Sequence, residues 1–379
     1  MRTAEAHRSA RTTAARSRLF TRAEIVTRAL ADRPRRRSDP SDPHRILVAH
    51  HLLLGDTLML TPLLKKLRER HPRAAIAMTV AQAIAPLYEG RPYGVEVLPW
   101  NPRRANPALF DQEPFDLAIV PGDNRYVWLA AAMRARWIVA FADDRRNAKA
   151  WPVDRFAPYP EQPAAWGDMV ASLAAGPAAA PYRPHEWPVP SAQPFTQPGP
   201  AYVVLHVGAS SPLKRWVPAR WHALAEWIVA LGMEPVWFAG TGEETVVAQC
   251  DPQGQFASYA GRLDLAQAFH LLRGAKALVA PDTGIAHLGR IVGVPTVTLF
   301  GPGSAVLCGA GEFWRGAPYR AVTVDPFPCR DQRILFKRDI AWVRRCGRSL
   351  TQCPEHRCMP AIGVESVQRA VRELLDKPA

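Results

Sequence analysis

The sequence predicts an α/β protein made of two doubly wound domains, and three observations carry that prediction. Short Val/Ile/Leu/Ala runs alternate with helical stretches in both halves of the 379-residue chain, the pattern of parallel strands joined by crossover helices. The chain is long enough for two domains of ordinary size, each with its own core. Between the alternating stretches, residues 181–200 (PYRPHEWPVPSAQPFTQPGP) hold seven prolines in twenty positions. Neither a helix nor a central strand tolerates that density, so the segment reads as an extended linker.

Before the linker, strands are expected at 45–49, 75–79, 95–98, 116–120 and 137–140. After it they are expected at 202–206, 234–238, 276–279 and 295–299, with helices at 218–231, 243–250 and 264–273. Leu60, Leu63, Leu64 and Leu67 recur at i, i+3, i+4, i+7, so an amphipathic helix follows Gly55-Asp56. Pro62 belongs near its first turns, where a missing N–H costs least; deeper in, it would kink the helix. A closing helix over 364–377 carries Val364, Val367, Val371 and Leu374 on one stripe. The chain thus divides into 45–180, the linker 181–200 and 201–379, with the cleft between the two domains as the expected site.

Residues 1–44 stand apart, with eleven Arg against five acids, net +6 of a total +14. That composition suits a solvated, flexible tail. It also suits a patch for anionic headgroups, or an Arg-rich targeting segment. No run of about 18 apolar residues is present, and the first 20 residues lack an apolar signal core. The chain therefore reads as soluble and as staying where it is made.

Two junctions concentrate the chemistry. In ALVAPDTGIAHLGRIVGVPTVTLFGP (277–302), an apolar strand runs through the turn Asp282-Thr283-Gly284 into a helix, and a second strand follows. Free N–H groups and a positive dipole end then meet at one point, suited to phosphate; the turn could equally just join two strands. In RILVAHHLLLGDTLMLTPLL (45–64), Asp56 stands where a strand gives way to a helix. Taken alone it is best read as a helix cap; the other reading is a general base facing a cleft.

With these junctions the chain resembles the heptosyltransferases of glycosyltransferase family 9, enzymes of the lipopolysaccharide core. The resemblance runs from about Arg45 to the C-terminus and rests on four motifs in order. They are Leu54-Gly55-Asp56 with Thr61-Pro62-Leu63; Lys214-Arg215-Trp216 running to Arg220-Trp221; Gly240-Thr241-Gly242-Glu243-Glu244; and Asp282-Thr283-Gly284-x-x-His287 with Leu299-Phe300-Gly301-Pro302. It implies the GT-B fold, two Rossmann-like domains facing a central cleft. It also implies an inverting transfer of heptose from ADP-heptose to an anionic glycolipid acceptor, with no divalent metal and no cofactor.

Carried over position by position, the resemblance implies Asp56 as general base and Lys214 as the cation at the leaving diphosphate. Thr283, Gly284 and His287 would be phosphate-side donors, Asp282 would orient the turn, and Ser210 and Ser211 would lie near the phosphates. Glu243 would hold the nucleoside, unless it is simply a first-turn acid of its helix. Lys214 could instead be a snorkelling surface lysine, and His287 a structural histidine. The sequence departs from the family pattern just before Leu-Gly-Asp, where His50-His51-Leu52-Leu53 replaces a basic residue and an Asp or Asn. Those positions line the acceptor side, so acceptor identity stays open, as do another nucleotide sugar and an inactive scaffold.

Late in the chain, Cys346, Cys353, His356 and Cys358 could hold a structural metal, although their spacing is not a paired zinc pattern. In relatives such a tail is expected to be structural packing. Residues 320–348 carry eight Lys/Arg against three Asp, suited to an anionic glycolipid at a membrane surface. A cytoplasmic protein, peripheral at the inner face of a bacterial inner membrane, is the corresponding expectation. Three other classes fit poorly. One Asp-Thr-Gly is not the carboxylate pair of an aspartic protease. No G-x-G-x-x-G follows the first strand. The basic stretches lack a nucleic-acid-reading motif.

Overall fold

The computed structural model describes residues 20–31, 38–104, 106–142 and 147–376. Strands β1 (Arg45–Val48), β2 (Ala75–Val80), β3 (Val95–Pro99), β4 (Leu117–Val120), β5 (Trp137–Phe141) and β6 (Arg155–Ala157) form one parallel sheet, ordered β3-β2-β1-β4-β5-β6. Strands β7 (Tyr202–His206), β8 (Glu234–Phe238), β9 (Ala277–Pro281), β10 (Thr296–Phe300) and β11 (Tyr319–Thr323) form a second, ordered β11-β10-β9-β7-β8. An antiparallel hairpin, β12 (Ile334–Leu335) with β13 (Arg338–Asp339), belongs to neither. β4, β7, β9 and β10 are buried along their whole length, as parallel strands covered on both faces must be.

Each sheet has one point where strand order reverses, between β1 and β4 in the first and between β7 and β9 in the second. Ligands of open α/β sheets sit at the carboxyl ends of strands at such switch points. Asp56 follows β1, Lys214 follows β7, and the Asp282-Thr283-Gly284 turn follows β9. The chain path alone therefore directs all three toward the space between the sheets.

The halves share a core rather than merely touching. Leu58, Leu60 and Leu63 of the first join Ile285, Leu288 and Ile291 of the second in one buried cluster. Two glycines permit the approach. A Cβ on Gly55 would come within 2.8 Å of His287 Cδ2, and one on Gly284 within 2.8 Å of Leu54 Cβ. The linker runs without strand or α-helix and is itself anchored: the Tyr182 hydroxyl donates to Ile291 O at 2.6 Å and Trp187 Nε1 to Leu87 O at 3.2 Å.

Several expectations change. The helix after Gly55-Asp56 is two, Leu54–Leu58 and Thr61–Arg70, and Pro62 stands in the first turn of the second, where no N–H is needed. The flexible-tail expectation fails for residues 20–31, which are helical. Thr21, Ile25 and Ala29, spaced by four, are buried, and the Arg28 guanidinium lies over the Phe110 ring. Averaging composition over 1–44 hid that stripe; 1–19 and 32–37 lie outside the described residues. The edge strands β6 and β11 were not expected, because they are half-exposed and lack a clean apolar run. The closing helix is Val364–Leu375, with Val367, Val371 and Leu374 buried against the second sheet's outer core. Among the described residues no helix is long and apolar enough to cross a membrane.

Candidate active site

A cleft of about 600 Å³ opens between the switch points. It is lined by all nine residues singled out in the sequence: Asp56, Ser210, Ser211, Lys214, Glu243, Asp282, Thr283, Gly284 and His287. The fold brings them together from both halves of the chain.

The C-terminal wall is built on the turn after β9. The helix Gly284–Val292 begins there, so its first N–H groups have no intrahelical acceptor. Thr283 is the N-cap but makes no capping bond, and its hydroxyl is buried with no hydrogen-bond partner among the described residues. Lys214 Nζ reaches Asp282 from the 3-10 turn Pro212–Lys214, donating to Oδ2 at 2.8 Å and to the backbone O at 2.6 Å. Burial alone would lower the pKa of this lysine; the charge and hydrogen bond of Asp282 outweigh it and raise it. Asp282 is thus the counter-ion of Lys214 rather than the brace of the Thr-Gly turn, and Lys214 is not a snorkelling surface residue.

His287 is buried, and its Nδ1 lies against the Arg290 guanidinium. A guanidinium can only donate, so Nδ1 accepts and the ring proton sits on Nε2. Burial, Arg290 and Lys214 hold its pKa well below the ordinary value, so the ring is a neutral donor. Arg290, which the sequence reading missed, is itself buried over Trp314 and Tyr319 and donates to Cys308 O. Its one sequence signal was its place a helical turn after His287.

Glu243 stands at the N-cap of the helix Glu244–Cys250, just before its first turn, and its side chain makes no capping hydrogen bond. Its Oε1 accepts from Ala209 N at 2.8 Å and its Oε2 from Gly240 N at 2.9 Å. The carboxylate ties together the loops after β7 and β8 and faces the cleft with lone pairs left over.

Asp56 belongs to the opposite wall. The helix Leu54–Leu58 has Leu53 at its N-cap, so Asp56 stands inside the first turn and is not the capping residue. Among the described residues its carboxylate makes no hydrogen bond or ion pair. Burial raises its pKa from 3.8 to about 6; Lys214 opposes the shift, Asp282 adds to it and Arg345 opposes it. A partly desolvated carboxylate of that pKa is suited to accept a proton near neutral pH.

Of the departure at 50–53, only Leu53 lines the cleft. His50 is fully buried and its backbone N–H donates to Thr79 Oγ1 at 2.8 Å, while His51 packs edge-on to Trp100. The sequence reading also missed Arg345, Cys346, Gly347 and Arg348, which line the cleft from the late basic stretch. Its charge was visible; its direction was not. Cys329, Cys346, Cys353, His356 and Cys358 surround a neighbouring hollow. All six cysteines are free, and among the described residues no cluster of three or more His, Cys, Asp or Glu could hold a metal.

Residues 112–312 match the family described as Glycosyltransferase family 9 (heptosyltransferase). The chain belongs to that family. Among relatives of family 9, lipopolysaccharide heptosyltransferase 1 of Pseudomonas aeruginosa is 34% identical over 148 residues, 37% of this chain and 42% of the relative. Lipopolysaccharide heptosyltransferase 2 of Escherichia coli is 31% identical over 99 residues, 24% of this chain and 28% of the relative. The sequence matches thus span less than half the length of these curated relatives. The fold matches are broader. A family 9 glycosyl transferase of Veillonella parvula superposes with TM-score 0.68 at 17% identity, covering 89% of this chain and 99% of the other. The E. coli heptosyltransferase WaaC, solved with ADP, gives 0.63 at 16% identity, covering 87% and 99%. This family 9 chain therefore has the GT-B architecture: two α/β sheets facing one cleft.

Proposed function

We propose that the chain transfers a heptose from ADP-heptose to an inner-core lipopolysaccharide acceptor by an inverting, metal-independent displacement. The observation that carries this reading is the opposition, across one cleft, of an unpaired carboxylate and a phosphate cradle: Asp56 on one wall; Lys214, Thr283 and the helix start at Gly284 on the other. Residues 45–180 would serve the acceptor and 201–379 the donor, joined by 181–200.

An acceptor hydroxyl attacks the anomeric carbon as Asp56 takes its proton, and the bond from that carbon to the diphosphate oxygen breaks. The negative charge leaving with ADP is met by Lys214, the Thr283 hydroxyl, the first N–H groups of the helix and Nε2–H of His287. Each such donor is worth ~2.7–4 kcal/mol in comparable sites. Ser210 and Ser211 add hydroxyls at the phosphates, and Glu243 accepts from the ribose. The donor assignment is supported by the relatives solved with ADP and with an ADP-heptose analogue. A cytoplasmic enzyme working at the inner membrane surface fits the basic charge of the chain.

Calorimetric titration with ADP, UDP and GDP, in EDTA at fixed salt, tests the reading. Selective ADP binding is expected. A preference for UDP or GDP would change the donor, and binding of none would make the chain an inactive scaffold.

A further inference from the structure

Arg345 lines the cleft and has no task in this mechanism. We propose that Arg345 recognises an anionic group, carboxylate or phosphate, on the acceptor; the inference rests on the functional reading above.

The argument begins with the cleft's cations. Lys214 is paired with Asp282, and Arg348 donates to both oxygens of Asp331 at 3.0 and 2.7 Å. Arg345 lines the same cleft half-buried, and among the described residues its guanidinium has no hydrogen-bond or ion-pair partner. A planar fork held free at a cleft wall is suited to bidentate capture of a carboxylate or phosphate.

The segment that carries it points to the acceptor rather than the donor. The donor cradle is made after β7 and β9, whereas residues 332–345 are anchored on the N-terminal sheet. Arg338 is buried and donates to Gly122 O at 3.1 Å and Phe141 O at 2.9 Å, at the carboxyl ends of β4 and β5. Lys337 pairs with Asp123 at 2.8 Å, and Trp342 Nε1 donates to Pro160 O at 2.8 Å. At the far end, Arg345 and Gln332 exchange backbone bonds and Cys346 N donates to Pro302 O at 2.8 Å. The segment straps one half to the other and fixes the Arg345 backbone between them. Its charge also favours ionised Asp56, as a residue beside the attacking hydroxyl should.

The test compares wild type, Arg345→Ala and Arg345→Lys in transfer from ADP-heptose to deacylated, heptose-free lipopolysaccharide, with ADP binding measured separately as the donor-site probe. Arg345→Ala should raise the acceptor KM roughly 10–100-fold, the worth of a charge-assisted hydrogen bond. ADP affinity should stay within about two-fold, and Arg345→Lys, which keeps charge but not the fork, should fall between. An unchanged acceptor KM overturns the inference. So does an ADP affinity that falls by the same factor, which would move Arg345 to the diphosphate. A wild-type protein that binds neither probe overturns the functional reading, and this inference with it.

Discussion

The two walls of the cleft hold their charged groups in opposite ways. On the C-terminal wall nearly every ionisable group has a fixed partner: Lys214 has Asp282, His287 has Arg290, and Glu243 holds two backbone N–H groups. On the facing wall Asp56 has none among the described residues, and burial raises its pKa to about 6. A paired wall is pre-organised: its dipoles and cations need not reorient when a diphosphate arrives. An unpaired carboxylate is the reverse, a group kept at some cost to stability so that it can take up a proton. One wall is built to hold charge and the other to receive it.

The contrast is broken most severely at Asp56. Asp56→Asn should lower kcat by ~10²–10⁴-fold while leaving ADP affinity within a few-fold. It should also stabilise the fold. The folded pKa of Asp56 lies above 3.8, so this carboxyl's stabilising contribution is lost as pH rises from about 4 to about 6 and is absent at neutral pH. The isosteric amide removes that deficit, worth about 1–2 kcal/mol after discounting for partial exposure. A lower melting temperature at pH 7.5, or near-normal turnover, would show that Asp56 is structural. The same titration sets the pH profile of the wild type. Below about pH 6, kcat/KM should fall tenfold per unit, and His287, kept neutral by burial, should add no second limb.

Lys214→Ala attacks the paired wall and should weaken ADP binding and turnover together, by ~2.7–4 kcal/mol in transition-state stabilisation. Asp282 is then left buried without its counter-ion, so a fall in melting temperature should accompany the kinetic loss. Loss of stability with unchanged kcat/KM would make the pair a strut rather than a phosphate clamp.

How much of this the sequence displayed differs between the walls for the same physical reason. The donor wall is nearly continuous in sequence: a strand, two turn residues and a helix over 277–292, each obeying a local rule of periodicity or termination. The family resemblance then added roles that periodicity does not contain. Local rules also located the central strands to within a residue or two, because those strands are apolar on both faces. They failed where tertiary contact decides. Nothing in Arg338 or Lys337 announces that the hairpin lies on the N-terminal sheet, and Arg345 in sequence is one more charge in a basic stretch. Asp56 read alone looked like a cap, since only the fold shows that Leu53 holds the N-cap position.

Thr283→Val probes a smaller term of the paired wall. Among the described residues the buried hydroxyl has no partner, so in the free protein its loss should leave the melting temperature unchanged or slightly higher. Toward ADP the sign reverses, because the hydroxyl's expected acceptor is a charged phosphate oxygen. Affinity should fall by about 1.5–3 kcal/mol. Equal ADP affinity would place the diphosphate away from the turn after β9.

Gly284→Ala should have the smallest effect, and it tests whether the walls are independent. In an open first helical turn the change would help, since alanine loses less backbone entropy, by roughly 0.5–1 kcal/mol. Here the new methyl would lie 2.8 Å from Leu54 Cβ as well as 2.7 Å from its Cδ2. A rotamer change moves only the second atom, so the helix Leu54–Leu58 must shift, carrying Asp56 with it. Overpacking of this kind costs ~1–3 kcal/mol, leaving a net loss of about 1–2 kcal/mol against the helical gain. The kinetic loss should appear in kcat more than in ADP affinity, because the displaced helix carries Asp56, whose carboxylate has no hydrogen bond among the described residues to hold its position. If melting temperature and kcat both stayed at wild-type values, the two junctions would not be in contact in solution, and the charge on one wall could not set the pKa on the other.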